Sequence, residues 1–171
     1  MESLIPVLLS LLPALVIVAG LRDLTSMTIP NWISLALIAG FYPVALIVGL
    51  PLAMIGLHTL IAIAALLVGM GLFALRWIGG GDAKLMAAAC LWLGLQGSGL
   101  FLLWTALAGG AFCLLLIVAR RSMAPLAARL GGWPARLLEP KGDIPYGVAI
   151  AAGALMAFPA STLVQTFVQG A

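Results

Sequence analysis

The chain has 171 residues, of which 64% are hydrophobic and 8% charged. Its mean hydropathy is +1.25. Soluble domains carry about 25% charged residues, so the composition excludes a soluble globule and leaves an all-α integral membrane protein, with one domain over residues 1–171. The formal charge of +3 does not point to nucleic acid, because the basic residues stand beside apolar runs, where they orient membrane helices.

Six apolar runs follow in order: Leu4–Leu21, Trp32–Leu50, Leu52–Leu75, Ala83–Leu95, Leu100–Ala119 and Ile144–Val168. A crossing takes about 20 residues; five runs reach that length and the fourth is short. The first run follows Met1-Glu2-Ser3. It has no positive leader region and is expected to be a retained helix, not a signal peptide. Asp23 stands just after it. Pro30 can open the second helix, where a missing N–H does no harm. Gly49-Leu50-Pro51 is a tight turn into the third run, which carries His58. That histidine is expected to bond to a neighbouring helix.

The sequence Gly79-Gly80-Gly81-Asp82-Ala83-Lys84 then leads into the fourth run, and Gln96-Gly97-Ser98-Gly99 reads as a polar turn into the fifth. The stretch from Arg120 to Asp143 is the longest loop. Its segments Leu126–Leu130 and Pro134–Leu138 read as lying in the membrane interface. Cys90 and Cys113 are isolated in apolar runs and indicate no metal site.

All eight Lys and Arg residues fall in alternate loops. Arg22, Arg76, Lys84, Arg120, Arg121, Arg129, Arg136 and Lys141 share one face, and the opposite loops carry none. The positive-inside rule puts the basic loops in the cytoplasm and both termini outside, around a bundle of six transmembrane helices.

Five acids occur in the whole chain, and a carboxylate at a membrane boundary is costly. This topology puts Asp23 and Asp82 on one face. The helix after Asp82 is about 13 residues, or roughly 20 Å, against a core of ~30 Å. Its start is expected to be recessed. Two close carboxylates cannot both ionise easily and titrate as a unit. The ionised member can take a proton from water while the neutral member donates to a carbonyl oxygen. This is peptide hydrolysis without metal or cofactor. The helix dipole is expected to favour Asp82 as the anion and Asp23, near a helix C-terminus, as the protonated partner. Lys84 either anchors its helix end or attracts an acidic substrate group. Asp143 either joins the site or caps the sixth helix.

Two readings compete with this one. Membrane acids also mark proton relays, but a transporter is expected to show internal repeats and acids or broken helices near the midplane. A structural assembly protein leaves the two acids without a role.

The residues resemble the type IV prepilin peptidase family of membrane aspartyl proteases. The family has one aspartate before an Ile-Pro-Asn segment, matched by Asp23 with Ile29-Pro30-Asn31. Its Gly-x-Gly-Asp motif and following lysine are matched by Gly79, Gly80, Gly81, Asp82 and Lys84. A Pro-Tyr-Gly opening of the last helix is matched by Pro145, Tyr146 and Gly147. The resemblance implies Asp23 and Asp82 as catalytic and the other residues as shaping the site. It is closest to the short branch serving tight-adherence (Flp) pili. Longer members add an N-terminal region with paired cysteines and a methyltransferase activity, so peptidase activity alone is implied here, with no zinc. The implied partners are prepilin or pseudopilin helices with short basic leaders, cut at the cytoplasmic face of the bacterial inner membrane. The alternative within enzymes is a broader Gly-x-Gly-Asp protease that cuts inside helices. One departure is that Leu24-Thr25-Ser26-Met27-Thr28 stands where members often carry basic residues.

Overall fold

Apolar residues on every face of a helix remove any polar stripe, and a helix satisfies its own backbone where no water is present. The structure follows that logic. The computed structural model describes residues 4–123, 131–140 and 142–170; Arg129, Lys141 and the segment Leu126–Leu130 lie outside them. All regular structure among the described residues is helical. In chain order the helices are α1 (Ile5–Leu9), α2 (Leu11–Ser26), α3 (Asn31–Val48), α4 (Leu52–Ala74), α5 (Gly80–Ser122), α6 (Trp133–Leu137), α7 (Tyr146–Ala157) and α8 (Thr162–Gly170). Five stretches are long and apolar enough to cross a membrane: Ile5–Ser26, Asn31–Val48, Leu52–Ala74, Gly80–Ser122 and Tyr146–Gln169.

Several boundaries differ from the sequence expectation. The first helix continues past Leu21 to Ser26, so Asp23 lies inside the helix and not after it. Thr25 and Ser26 sustain that extra turn by donating their hydroxyls to the carbonyls of Leu21 (2.8 Å) and Arg22 (2.6 Å). Met27 then ends it in the left-handed region at φ 54°. The last apolar run is interrupted. Pro159 sits in a 3-10 turn, Phe158–Ala160, and Ser161 restarts the helix by accepting the Val164 N–H (3.3 Å). The segment expected over Pro134–Leu138 is α6, one residue earlier.

The fourth and fifth runs form one 43-residue stretch, α5, broken at Gly94 (φ 68°, ψ −169°). The stretch doubles back there. Its first part runs antiparallel to α4: Ala83 packs on Gly69 and Gly94 on His58. Its second part runs antiparallel to α7, with Gly97 against Ser161, Thr105 against Gly153 and Gly109 against Tyr146. The Ser98 hydroxyl donates back across the bend to the Cys90 carbonyl (3.4 Å). Small residues at these crossings let helices approach where lipid offers no hydrophobic drive for association.

Near the bend, polar groups are packed inside the bundle. The ring of His58 is fully buried, stacks on Phe41 (centroids 5.5 Å apart) and pairs through Nδ1 with the Leu91 carbonyl (2.7 Å). The expected bond to a neighbouring helix is therefore present. The Trp92 indole N–H donates to the Leu37 carbonyl (2.8 Å), which ties α5 to α3 through the core.

Gly94 occupies backbone space essentially reserved for glycine, and an added Cβ would stand 2.6 Å from His58 Nε2. Gly94→Ala is expected to lose about 1–3 kcal/mol or more, read as a lower thermal midpoint in detergent. Gly110→Ala, a helical position with nothing within 4 Å, is the matched control and should be near neutral. Equal midpoints for both would show that the bend tolerates a side chain.

Candidate active site

Three backbone segments converge at one end of the bundle. The link after α2 brings Ile29, the start of α5 brings Gly81, and the start of α7 brings Gly147. A Cβ on Gly81 would stand 3.0 Å from Ile29 Cβ, and one on Gly147 would stand 3.0 Å from Ile29 Cδ1. Only bare backbone fits on either side of that isoleucine. The next residue after Gly81 is Asp82, and Gly147 donates its N–H to Asp23 Oδ2 (2.7 Å). Closing both glycines onto Ile29 therefore brings the two acids to one place.

Asp23 and Asp82 line a single cavity of about 820 Å³. Asp23 is 6% exposed. Asp82 is the third residue of α5, and its Oδ2 accepts the N–H of Gly79 (3.0 Å), the N-cap of that helix. Its other oxygen, Oδ1, is buried without a hydrogen-bond partner among the described residues.

The two carboxylates thus share one kind of anchor. Each takes a backbone N–H at a helix N-terminus, Asp82 at α5 and Asp23 at α7. Asp23 also lies in the last turn of α2, the helix C-terminus expected to favour its protonated form. The α7 N-terminus faces it as well, so the dipole argument no longer separates the two acids.

Of the other residues singled out from sequence, Gly79, Pro145 and Tyr146 line the cavity with the acids. Gly80 packs against the ring of Phe73. Pro30 opens α3 as its N-cap. Lys84 is not in the cavity: its Nζ donates to Asn31 Oδ1 (2.9 Å) and joins α5 to α3. Lys84 is therefore placed as an anchor, not as an attractor beside the acids. Asp143 lines the cavity as a third carboxylate, while Pro145, not Asp143, is the N-cap of α7.

Met27, Phe73, Arg76 and Trp77 also line the cavity and were not identified from sequence as site residues. Arg76 adopts φ 60°, a left-handed conformation unusual for a residue with a side chain. Such outliers cluster at functional sites. Its adjacency to the triple glycine was the available signal. Arg120, read only as an orienting charge, donates to the carbonyls of Leu137 (2.9 Å) and Asp143 (2.8 Å). It fastens the end of α6 and the segment before α7 to the end of α5, and, because Asp143 and Asp82 line one cavity, both ends of α5 lie at the same end of the molecule.

Residues 10–114, more than half of the chain, match the model of a family described as the type IV leader peptidase family. The match includes Asp23, Ile29, the triple glycine and Asp82. No curated protein and no solved structure matches.

Asp23→Ala leaves the Gly147 N–H without an acceptor and is expected to cost about 1–3 kcal/mol. Asp23→Asn keeps an oxygen at that place and should cost less. Thermal unfolding of both variants in one detergent checks this, and equal losses would show that the bond to Gly147 contributes nothing.

Proposed function

The chain belongs to the type IV leader peptidase family, and from that membership we propose a prepilin leader peptidase of the Flp type. It is an aspartyl endopeptidase that uses no metal and removes the short basic leader of type IV or Flp prepilins. Its topology is six crossings, counting the two halves of α5 separately, with both termini outside. The catalytic face is cytoplasmic in the bacterial inner membrane.

The observation that carries this reading is the cavity that Asp23 and Asp82 both line, with one Asp82 oxygen buried beside it without a partner among the described residues. A buried acceptor without a donor is costly. One proton held between the two carboxyls supplies that donor, and a pair holding one proton is the working state of a general acid and base. The ionised member takes a proton from the attacking water. The neutral member donates to the scissile carbonyl. One oxygen of each carboxyl is tied to a backbone N–H, Asp82 to Gly79 and Asp23 to Gly147, which restrains the direction of both before substrate arrives.

Depth favours leader removal over cutting inside a helix. Asp23 is one turn from the end of α2, and Asp82 is in the first turn of α5. Both sit at the boundary where a leader emerges. The same placement argues against a proton-coupled transporter, whose acids belong near the midplane. Orientation follows from charge: Arg22, Arg76, Lys84 and Arg120 all lie at the cavity end, and the turn at Gly49–Pro51 and the bend at Gly94 carry no Lys or Arg.

In a processing assay with a prepilin in vesicles, Asp23→Asn and Asp82→Asn are each expected to be inserted at wild-type levels and to cut at least a hundredfold more slowly. The wild-type rate should fall on both sides of one pH optimum, because the pair works only while it holds one proton. Retained cutting by either variant refutes the pair. Single cysteines at Gly49 and Gly99 should react with an impermeant thiol reagent from the periplasm, and one at Met123 only from the cytoplasm. Any other labelling overturns the six-crossing topology.

A further inference from the structure

We propose that Asp143 binds a lysine or arginine side chain of the substrate, within about four residues of the scissile bond on its leader side. This rests on the leader-peptidase reading and adds to it the residue that selects a basic leader. Asp143 lines the same cavity as Asp23 and Asp82, but the acid–base chemistry of the pair gives it no role.

The fold does not use this carboxylate in either of the ordinary ways. An aspartate just ahead of a helix commonly caps it, but the N-cap of α7 is Pro145, with no side-chain hydrogen bond. An aspartate beside an arginine commonly pairs with it, but Arg120 aims its donors at main chain. Its Nη2 donates to the Asp143 carbonyl (2.8 Å) and its Nε to the Leu137 carbonyl (2.9 Å). The cation nearest to Asp143 among the described residues thus holds the backbone of that residue and leaves the carboxylate to the cavity.

That backbone is fixed from both sides. Before it, Gly142 donates its N–H to the Glu139 carbonyl (3.0 Å), and a Cβ on Gly142 would stand 3.0 Å from the Arg136 carbonyl oxygen. After it, Pro145 has a ring-locked φ. A charged side chain on a fixed main chain is preorganised for a ligand. Its reach is bounded as well. Gly147, which holds Asp23, is four residues further on, and four residues of chain span at most about 14 Å. An extended peptide advances about 3.3 Å per residue, which sets the limit of about four residues. Asp143 precedes α7 and is tied to the last turn of α5. It therefore lies beyond the helix ends, on the side where a leader emerges.

Charge and wall chemistry select the occupant. Arg76 is the one cation lining the cavity among the described residues, against Asp23, Asp82 and Asp143. With one proton held between Asp23 and Asp82, two negative charges face one positive, so the charge still to be supplied is a cation. Trp77 and Tyr146 line the same cavity. Aromatic faces attract a cation and pack against its alkyl stem.

The test follows processing in vesicles of one prepilin with a basic leader and of a variant whose leader cations are all glutamine. Asp143→Asn keeps the main-chain anchors, so its thermal midpoint should equal that of the wild type. It should raise KM for the basic leader about fivefold, the effect of one partly exposed ion pair. Its kcat should not change, because the contact is the same in ground and transition states. The wild type should lose at least as much on the uncharged leader, and Asp143→Asn should lose nothing further there. Asp143→Lys should prefer a leader with glutamates in place of its cations. Glu139→Gln, at an acid four residues away that does not line the cavity, is the control and should match the wild type on both leaders. An unchanged KM in Asp143→Asn on the basic leader overturns the proposal, as does an equal loss on both leaders, which marks a structural role. In either case a wild type that still cuts leaves the peptidase reading standing. A wild type that cuts neither leader overturns that reading and this proposal together.

Discussion

The hydrogen bond from Gly147 to Asp23, with Ile29 wedged beside it, is the constraint on which the site depends. It spans 124 residues of sequence and joins the second helix to the last long one. Ile29 contacts the positions of both Gly81 and Gly147, so one apolar side chain sets the distance between three backbone segments. Replacing either glycine would force the neighbouring segments to give way, because the contacts at 3.0 Å and below leave no room for a Cβ. Asp82 belongs to the first of those segments and Asp23 is held by the second. The carboxylates are therefore positioned by backbone packing, and neither depends on a flexible side chain for its direction.

The opposite end of the bundle provides the counterpart. Placing Asp82 and Arg120 at the same end requires α5 to turn back, and Gly94 makes the turn in a conformation few other residues tolerate. His58 closes the space that a side chain there would need. A straight helix of 43 residues would extend about 65 Å, twice the thickness of a hydrocarbon core, so the bend is what makes this stretch compatible with a bilayer. The two ends of the molecule are coupled through that requirement. The far end is locked by a glycine and a buried ring, and the near end gains the room to hold a cavity with three acids.

Much of this was legible in sequence, and the exceptions have physical causes. Apolar runs located the long helices because hydropathy is a property of contiguous residues. The three motifs located the site because each places glycine or proline where backbones must meet. The end of α2 was misread because Arg22, Asp23, Thr25 and Ser26 look like a loop. Their hydroxyls instead bond back into the helix, a local interaction that hydropathy does not register. The break at Pro159 was missed because proline is tolerated in many membrane helices; here it also precedes Ser161, which caps a new helix. The dipole argument about protonation was incomplete for a different reason. The helix whose N-terminus meets Asp23 begins more than 120 residues later, so local sequence carries no trace of it.

Under the proposed function, the backbone anchors of the two acids bear on how hydrolysis would be shared between them. A pair made unequal by its surroundings would assign base and acid permanently. Here each carboxylate accepts one backbone N–H at a helix start, while Asp23 also lies in the last turn of α2 and Asp82 keeps one oxygen buried without a partner among the described residues. In the proposed mechanism a single proton passes between the two. The site can therefore return to its starting state after a turnover in which the proton has changed sides. Peptide hydrolysis by an acid–base pair requires that exchange: the base leaves the first step protonated, and the acid must recover its proton before the next substrate. Backbone anchoring keeps the geometry unchanged while it happens.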